Sequence, residues 1–115
     1  TPQNKKVAAD DEKEYGGAQP ATYDFQGYDA GLLNDGALKA TKGNTADKKA
    51  LEAAMMKAPF QSLRGAFKFN ANHYPIQDFY QVKVAQRADG KFQTEIVKKV
   101  FTNYADPHAK DCPMK

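Results

Sequence analysis

The chain has 115 residues, 41% of them hydrophobic, with 17 basic and 14 acidic side chains that leave a formal charge of +3. That length suits one domain, and the interspersed charges argue against the concentrated basic face of a nucleic-acid binder. No run approaches the ~18 apolar residues of a membrane span, no apolar segment opens the chain as an export signal does, and Cys112 is a single cysteine, so no disulfide closes within these residues. On composition, a soluble polypeptide without its own export signal is expected.

The first element is expected from Asn4 to Tyr15. It is a helix whose surface is almost all charged (Lys5, Lys6, Asp10, Asp11, Glu12, Lys13, Glu14), with only Val7, Ala8 and Tyr15 to bury. Gly16-Gly17 stops it, because glycine readily takes the left-handed conformation that closes a last turn. A helix this polar covers a larger body rather than nucleating one. Gln19-Pro20-Ala21-Thr22 follows as a linker or short extended segment, with Pro20 forcing Gln19 out of the helical region.

From about Phe25 to Lys42 the period turns helical, and Tyr28, Leu32, Leu33, Ala37 and Leu38 form the apolar stripe. Gly27, Gly31 and Gly36 each lower helix propensity by up to ~1 kcal/mol; small residues on one flank predict that another backbone lies close. Lys42-Gly43-Asn44 ends this helix, and Thr45 or Asp47 caps the next. That second amphipathic helix buries Leu51, Ala54, Met55 and Ala58 and stops at Ala58-Pro59. Met55-Met56 reads as core filling.

Beyond Pro59 the pattern is extended. Phe67 and Phe69 alternate around Lys68, which predicts a short half-buried strand. Ile76, Tyr80, Val82 and Val84 alternate with Gln77, Gln81 and Lys83, and Phe92, Thr94, Ile96 and Val100 return after Ala88-Asp89-Gly90-Lys91. This is a β-hairpin, with Asp-Gly supplying the positive φ angles of a tight turn. Tyr104 to Lys115 is polar, holds two prolines and is expected to wrap a surface; its end, Cys112-Pro113-Met114-Lys115, reads as a terminus. No βαβ unit is complete, so the chain is either α+β with a thin core or part of something longer.

Three aromatic-rich stretches, Tyr23 to Ala30, Arg64 to Phe69 and Asn72 to Tyr80, read as binding walls rather than reaction centres. Asp24 or Asp29 is placed to bond a ligand amine or hydroxyl, but a carboxylate near a helix start also answers the helix dipole, and Asp29 reads as structural. Arg64 suits either a ligand carboxylate or a neighbouring acid. His73 has no serine or cysteine nucleophile paired with it in sequence, and His108 with Cys112 makes two of the four ligands a structural zinc needs. No enzyme activity, cofactor or metal is expected.

The ordered series Tyr15-Gly16-Gly17, Tyr23 to Ala30, Leu32-Leu33, Ala37 to Gly43, Asp47, Leu51, Phe60, Arg64-Gly65, Phe67, Phe69, Asn72-His73, Ile76 to Tyr80 and Asp89-Gly90 resembles the C-terminal third of the periplasmic solute-binding proteins of ABC transporters. The subfamily it resembles is the leucine/isoleucine/valine-binding type, which includes members that capture aromatic acids. The likeness runs through nearly the whole chain. It implies an α/β fragment of a two-lobed type I periplasmic-binding-protein fold, a Venus flytrap. Residues 1–20 would be a polar helix and linker, 21–70 a lobe segment with two helices, and 71–115 a hinge crossing, hairpin and tail.

The resemblance also implies a function. It is extracytoplasmic capture of a small hydrophobic or aromatic carboxylate, either a branched-chain amino acid or an aromatic acid, for uptake. The implied partners are the small-molecule ligand, an ABC-transporter membrane permease and a missing N-terminal portion of the same protein, with no nucleic acid. The implied compartment is the periplasm, where Cys112 has the option of pairing with an upstream cysteine. The implied ligand wall is Tyr23, five positions before the tyrosine that opens the long helix, with Phe25 and Gln26 in the same strand-to-helix junction. A ligand-sensing module of a receptor or regulator with the same fold is the alternative.

Overall fold

Three helices precede a three-stranded antiparallel sheet in the computed structural model, which describes residues 2–18 and 20–112. The extended conformation expected at Gln19 and the terminal run Pro113-Met114-Lys115 lie outside the described residues. The chain divides into two units, Thr1–Phe67 and Lys68–Lys115.

The first unit holds α1 (Pro2–Glu14), α2 (Thr22–Ala40) and α3 (Lys48–Met56). α1 has no fully buried residue, as its charged surface predicts. It closes through Gly16 and Gly17, at φ 64° and 86°, and the Gly17 N–H donates to the Glu12 carbonyl at 2.7 Å. α2 starts three residues earlier than the apolar spacing predicts. The Ala21 N–H donates to Asp24 Oδ2 at 2.6 Å, so the acidic residue three positions in secures the N-cap backbone and complements the helix dipole. α2 ends with the Gly43 N–H (φ 78°) donating to the Leu38 carbonyl at 2.8 Å. Of the two caps open for α3, Asp47 serves, its carboxylate accepting the Ala50 N–H at 3.0 Å.

α2 packs on α3, and Gly36 of α2 lies against Pro59, just beyond the end of α3. A Cβ on Gly36 would lie 2.5 Å from the Pro59 carbonyl oxygen, whereas at Gly27 and Gly31 it would meet nothing within 4 Å. Only one of the three glycines therefore answers the expected backbone approach. Gly36→Ala is expected to destabilise this unit by about 1–3 kcal/mol, because overpacking against backbone outweighs alanine's better helix propensity. Urea unfolding at constant slope measures it, and a neutral result would mean the Pro59 contact does not constrain the pair.

The segment after α3 is fixed by a carboxylate from the middle of α2. Asp29, 4% exposed, accepts the Ser62 hydroxyl at 2.6 Å, the Leu63 N–H at 2.9 Å and Arg64 Nε at 3.4 Å. Arg64 in turn lies over the Phe67 ring, 5.9 Å from its centroid, and Phe67 meets Phe60 at 5.3 Å. Buried charge is tolerated here because each bond it makes replaces one to water. The apolar core is thin: Ala37, Ala54 and Leu63 are buried, and no large side chain among the described residues is fully enclosed.

The second unit is a sheet in the order β1 (Lys68–Phe69), β2 (Pro75–Gln86), β3 (Phe92–Tyr104), antiparallel throughout. Phe67 falls outside β1. The hairpin turn differs from the expected pair of positive φ angles. Gly90 alone takes one (82°), with its N–H donating to the Arg87 carbonyl at 3.0 Å, while the Arg87 N–H bonds the Lys91 carbonyl at 2.7 Å. The longer loop spares Asp89 a positive φ, and its carboxylate accepts the Lys91 N–H at 3.1 Å instead.

Pairing register sorts the hairpin into two faces. Val82 opposite Ile96, Val84 opposite Thr94 and Gln86 opposite Phe92 form one; Gln81 opposite Lys98, Lys83 opposite Glu95 and Ala85 opposite Gln93 form the other. The second is polar and carries the Lys83–Glu95 ion pair at 3.3 Å. The first is apolar, yet Val84, Ile96 and Phe92 are 72%, 66% and 67% exposed. The alternation expected of this hairpin is thus present as pattern without cover from the described residues. At its base Phe79, Phe101 and Tyr104 cluster, with ring centroids 4.9–6.5 Å apart, and the tail returns through a 3-10 turn (Ala109–Asp111). Asn72 Nδ2 ties this tail to the β1–β2 turn by donating to Asp106 Oδ2 at 2.7 Å.

Register slips near Asp78, and that carboxylate substitutes for the irregular ladder. Asp78 Oδ2 pairs with Lys99 Nζ, and Asp78 Oδ1 accepts the Asn103 N–H at 2.8 Å, Asn103 standing at φ 49°. The Lys99 hydrogen bond, then that of Asn103, holds the Asp78 carboxyl below its ordinary 3.8, and Asp78 raises Lys99 above 10.5. The Asp78 contribution is therefore complete above its ordinary value and fades as pH falls through the lowered one; that of Lys99 is complete below 10.5 and fades above the raised value. An NMR titration is expected to show the Asp78 carboxyl and the Asn103 amide moving together below pH 3.8, with Lys99→Gln shifting that midpoint upward. An unchanged midpoint in the variant would show that Lys99 does not set it.

Candidate functional site

α2 places all three sequence-predicted wall residues in its first turns, not at a strand-to-helix junction, because no strand precedes it among the described residues. Tyr28, expected to open the helix, lies in its second turn. Tyr23 is 81% exposed, Gln26 is exposed and Phe25 is half-buried. At about 100° per residue, Gln26 falls roughly 60° from Tyr23 around the helix and Phe25 roughly 160° away. The helix therefore gathers Tyr23 with Gln26 and turns Phe25 to the opposite flank.

Tyr23 borders an open cleft of about 680 Å³ lined by Asp11, Tyr15, Ala18, Tyr23, Asp24, Gly27 and Tyr28. Tyr15, just past the end of α1, donates its N–H to the Asp11 carbonyl at 2.9 Å, while Tyr23 with Gly27 and Asp24 with Tyr28 are four apart on α2, so each of those pairs shares a helix face. The Gly16-Gly17 turn brings these faces together. Three phenol rings and two carboxylates result, with no lysine or arginine among the lining residues. Sequence reasoning singled out Tyr23 but missed Asp11 and Tyr15 as its neighbours. Their four-residue spacing was visible, whereas the fold-back of α1 onto the start of α2 was not.

Arg64, which suited a ligand carboxylate or a neighbouring acid, is engaged by the acid: Asp29 takes its Nε. Asp29 is structural, as its position suggested. His73 sits in the turn before β2 at φ 61°, and His108 Nδ1 lies 3.6 Å from Asp111 Oδ2. Cys112 is exposed and free, and among the described residues no three His, Cys, Asp or Glu side chains cluster as metal ligands would. No helix among them is long and apolar enough to cross a membrane.

No family model matches the chain, and no curated protein is detectably similar to it in sequence. Solved structures are. An ABC transporter substrate-binding protein from Sphaerobacter thermophilus superposes with a TM-score of 0.80 at 25% identity, over 90% of this chain and 28% of that one. The solute-binding protein of an ABC transporter from R. palustris, solved in complex with benzoate, gives a TM-score of 0.72 at 38% identity, over 84% of this chain and 25% of that one. The chain spans about a quarter of the length of these proteins, and its mixed α/β architecture is that of a segment of the solute-binding-protein fold.

Proposed function

We propose that this chain is the C-terminal portion of a two-lobed solute-binding protein. The protein captures a small hydrophobic or aromatic carboxylate outside the cytoplasm, a branched-chain amino acid or an aromatic acid, and delivers it to an ABC-transporter permease. The observation that carries this reading is the likeness, over most of this chain, to two ABC-transporter solute-binding proteins, one of them holding benzoate. The thin core and the uncovered apolar face of the hairpin support it, since apolar surface of this kind is normally covered by further protein. In this reading the remainder of the fold supplies that cover and most of the solute contacts.

Tyr23 is the solute wall: a flat apolar face with a hydroxyl at its rim suits a ligand with an apolar body and a polar end. Gln26, on the same flank, adds an amide that donates and accepts. Phe25, on the opposite flank, packs the helix. Capture by lobes closing about a hinge is reversible binding without chemistry, which fits a site of aromatics with no nucleophile beside a base.

Binding only the native state must stabilise it. The intact protein is expected to gain about 2.7 kcal/mol at a solute concentration a hundredfold above Kd. Thermal unfolding with leucine, isoleucine, valine, phenylalanine and benzoate reads this as a raised Tm for at least one of them. No shift with any of the five would overturn the reading.

A further inference from the structure

β3 is an outer strand in the order β1-β2-β3, so its far side meets no strand among the described residues. We propose that the turn-side half of this edge, residues 92–96, pairs with the same segment of a second copy, antiparallel about a twofold axis at Thr94. Such pairing is independent of the solute carried, and it uses the edge of the sheet, leaving the apolar face to the remainder of the fold.

The two halves of the edge differ. Residues 92–96 face β2 one to one, from Phe92 opposite Gln86 to Ile96 opposite Val82, without a slip. Beyond them β3 carries an extra residue three times. Val97 falls between Ile96, opposite Val82, and Lys98, opposite Gln81; Val100 falls between Lys99, opposite Tyr80, and Phe101, opposite Phe79; Thr102 and Asn103 together stand across from Asp78. Bulges twist a strand and interrupt its edge, which is one way sheets ward off further strands. Residues 92–96 carry no such guard, having neither a bulge nor a proline.

Pairing chemistry selects the occupant. The Arg87 N–H donates to the Lys91 carbonyl at 2.7 Å, and antiparallel ladders alternate bonded with non-bonded pairs. Gln93 and Glu95 therefore turn their backbone groups toward β2, whereas Phe92, Thr94 and Ile96 turn theirs outward. A twofold axis at Thr94 sets Thr94 against the partner's Thr94, Phe92 against the partner's Ile96 and Gln93 against the partner's Glu95. Threonine pairs and aromatic–β-branched pairs are favourable cross-strand neighbours, and no like charges meet. Moving the axis to Glu95 sets two carboxylates opposite each other, and moving it to Gln93 leaves Ile96 opposite the partner's Gly90, in the turn. A twofold contact of this kind is closed and self-complementary. Five residues from each copy bury less than the roughly 1,200 Å² of a stable interface, so the dimer is weak and reversible.

Sedimentation velocity of the intact protein between about 1 μM and about 1 mM tests this. A reversible shift from monomer to dimer is expected as concentration rises. Gln93 is exposed on the polar face, so its substitution spares the fold. Gln93→Lys places a cation opposite the partner's Glu95 twice per dimer and is expected to tighten association severalfold, whereas Gln93→Glu is expected to weaken it by a similar factor. Thr94→Pro removes an outward N–H and no bond to β2, and is expected to abolish the dimer; if that variant does not fold, the two Gln93 variants decide. A monomer throughout the range, or a dimer that the Gln93 variants leave equally tight or change in the opposite sense, would overturn the proposal.

Discussion

Asp29→Ala is expected to destabilise the Thr1–Phe67 unit by about 3 kcal/mol, the largest effect on stability of any single substitution considered. The carboxylate is 4% exposed and accepts from the Ser62 hydroxyl, the Leu63 N–H and Arg64 Nε. Alanine leaves two buried donors without a partner, at about 1–3 kcal/mol each, and frees the half-exposed Arg64 to find water. Asp29→Asn keeps an acceptor for either Ser62 or Leu63 and is expected to lose about half as much. Chemical denaturation at constant slope reads both variants. A loss under about 0.5 kcal/mol for the alanine variant would mean that solvent replaces Asp29 at its partners.

Tyr23→Ala is expected to weaken solute binding by about 10–100-fold, equivalent to roughly 1.4–2.7 kcal/mol, with little change in stability. The separation follows from exposure: at 81% accessible the ring buries almost nothing in the unliganded chain, so its removal forms no cavity. Tyr23→Phe keeps the flat face and removes the hydroxyl, and its smaller loss divides the wall from the hydrogen bond. Titration of the folded variants decides the matter. An unchanged affinity for Tyr23→Ala would remove this residue from the site, whatever else binds.

The parts of the fold that were legible beforehand are those written in local chemistry. Gly16-Gly17 ends α1, Asp47 caps α3 and Gly90 supplies the left-handed residue of the hairpin turn, each because a short-range steric or hydrogen-bonding need admits few residue types. What escaped was set by partners further away. The first turn of α2 has no apolar stripe, so periodicity placed the start near Phe25, whereas the Asp24 bond to Ala21 carries the helix back to Thr22. That three-residue extension sets where the three expected wall residues sit around the helix. It converts a junction in which Tyr23, Phe25 and Gln26 act together into a helix that turns Phe25 away.

The neighbours of Tyr23 were hidden for a related reason. Asp11 and Tyr15 read as charged surface and modest burial on a polar helix, and only the fold-back across Gly16-Gly17 brings them to the cleft. The glycine flank of α2 shows the reverse case. The glycine flank suggested that another backbone lies close, and among the described residues it is Gly36 that meets one. In the hairpin the alternation of Val82, Val84, Ile96 and Phe92 specified an apolar face correctly, although nothing among the described residues buries it. Pattern reports which face prefers cover, and the covering body need not belong to the same segment.

The protein to which this chain belongs is expected to hold a small carboxylate-bearing solute without transforming it. Equilibrium dialysis of the intact protein against labelled leucine, labelled phenylalanine and labelled benzoate tests it most directly, with the solute recovered and identified afterwards. Saturable uptake of about one solute per protein is expected for at least one of the three, displaced by the unlabelled compound and recovered unchanged. Absence of saturable binding to all three, or recovery of a converted product, would contradict it.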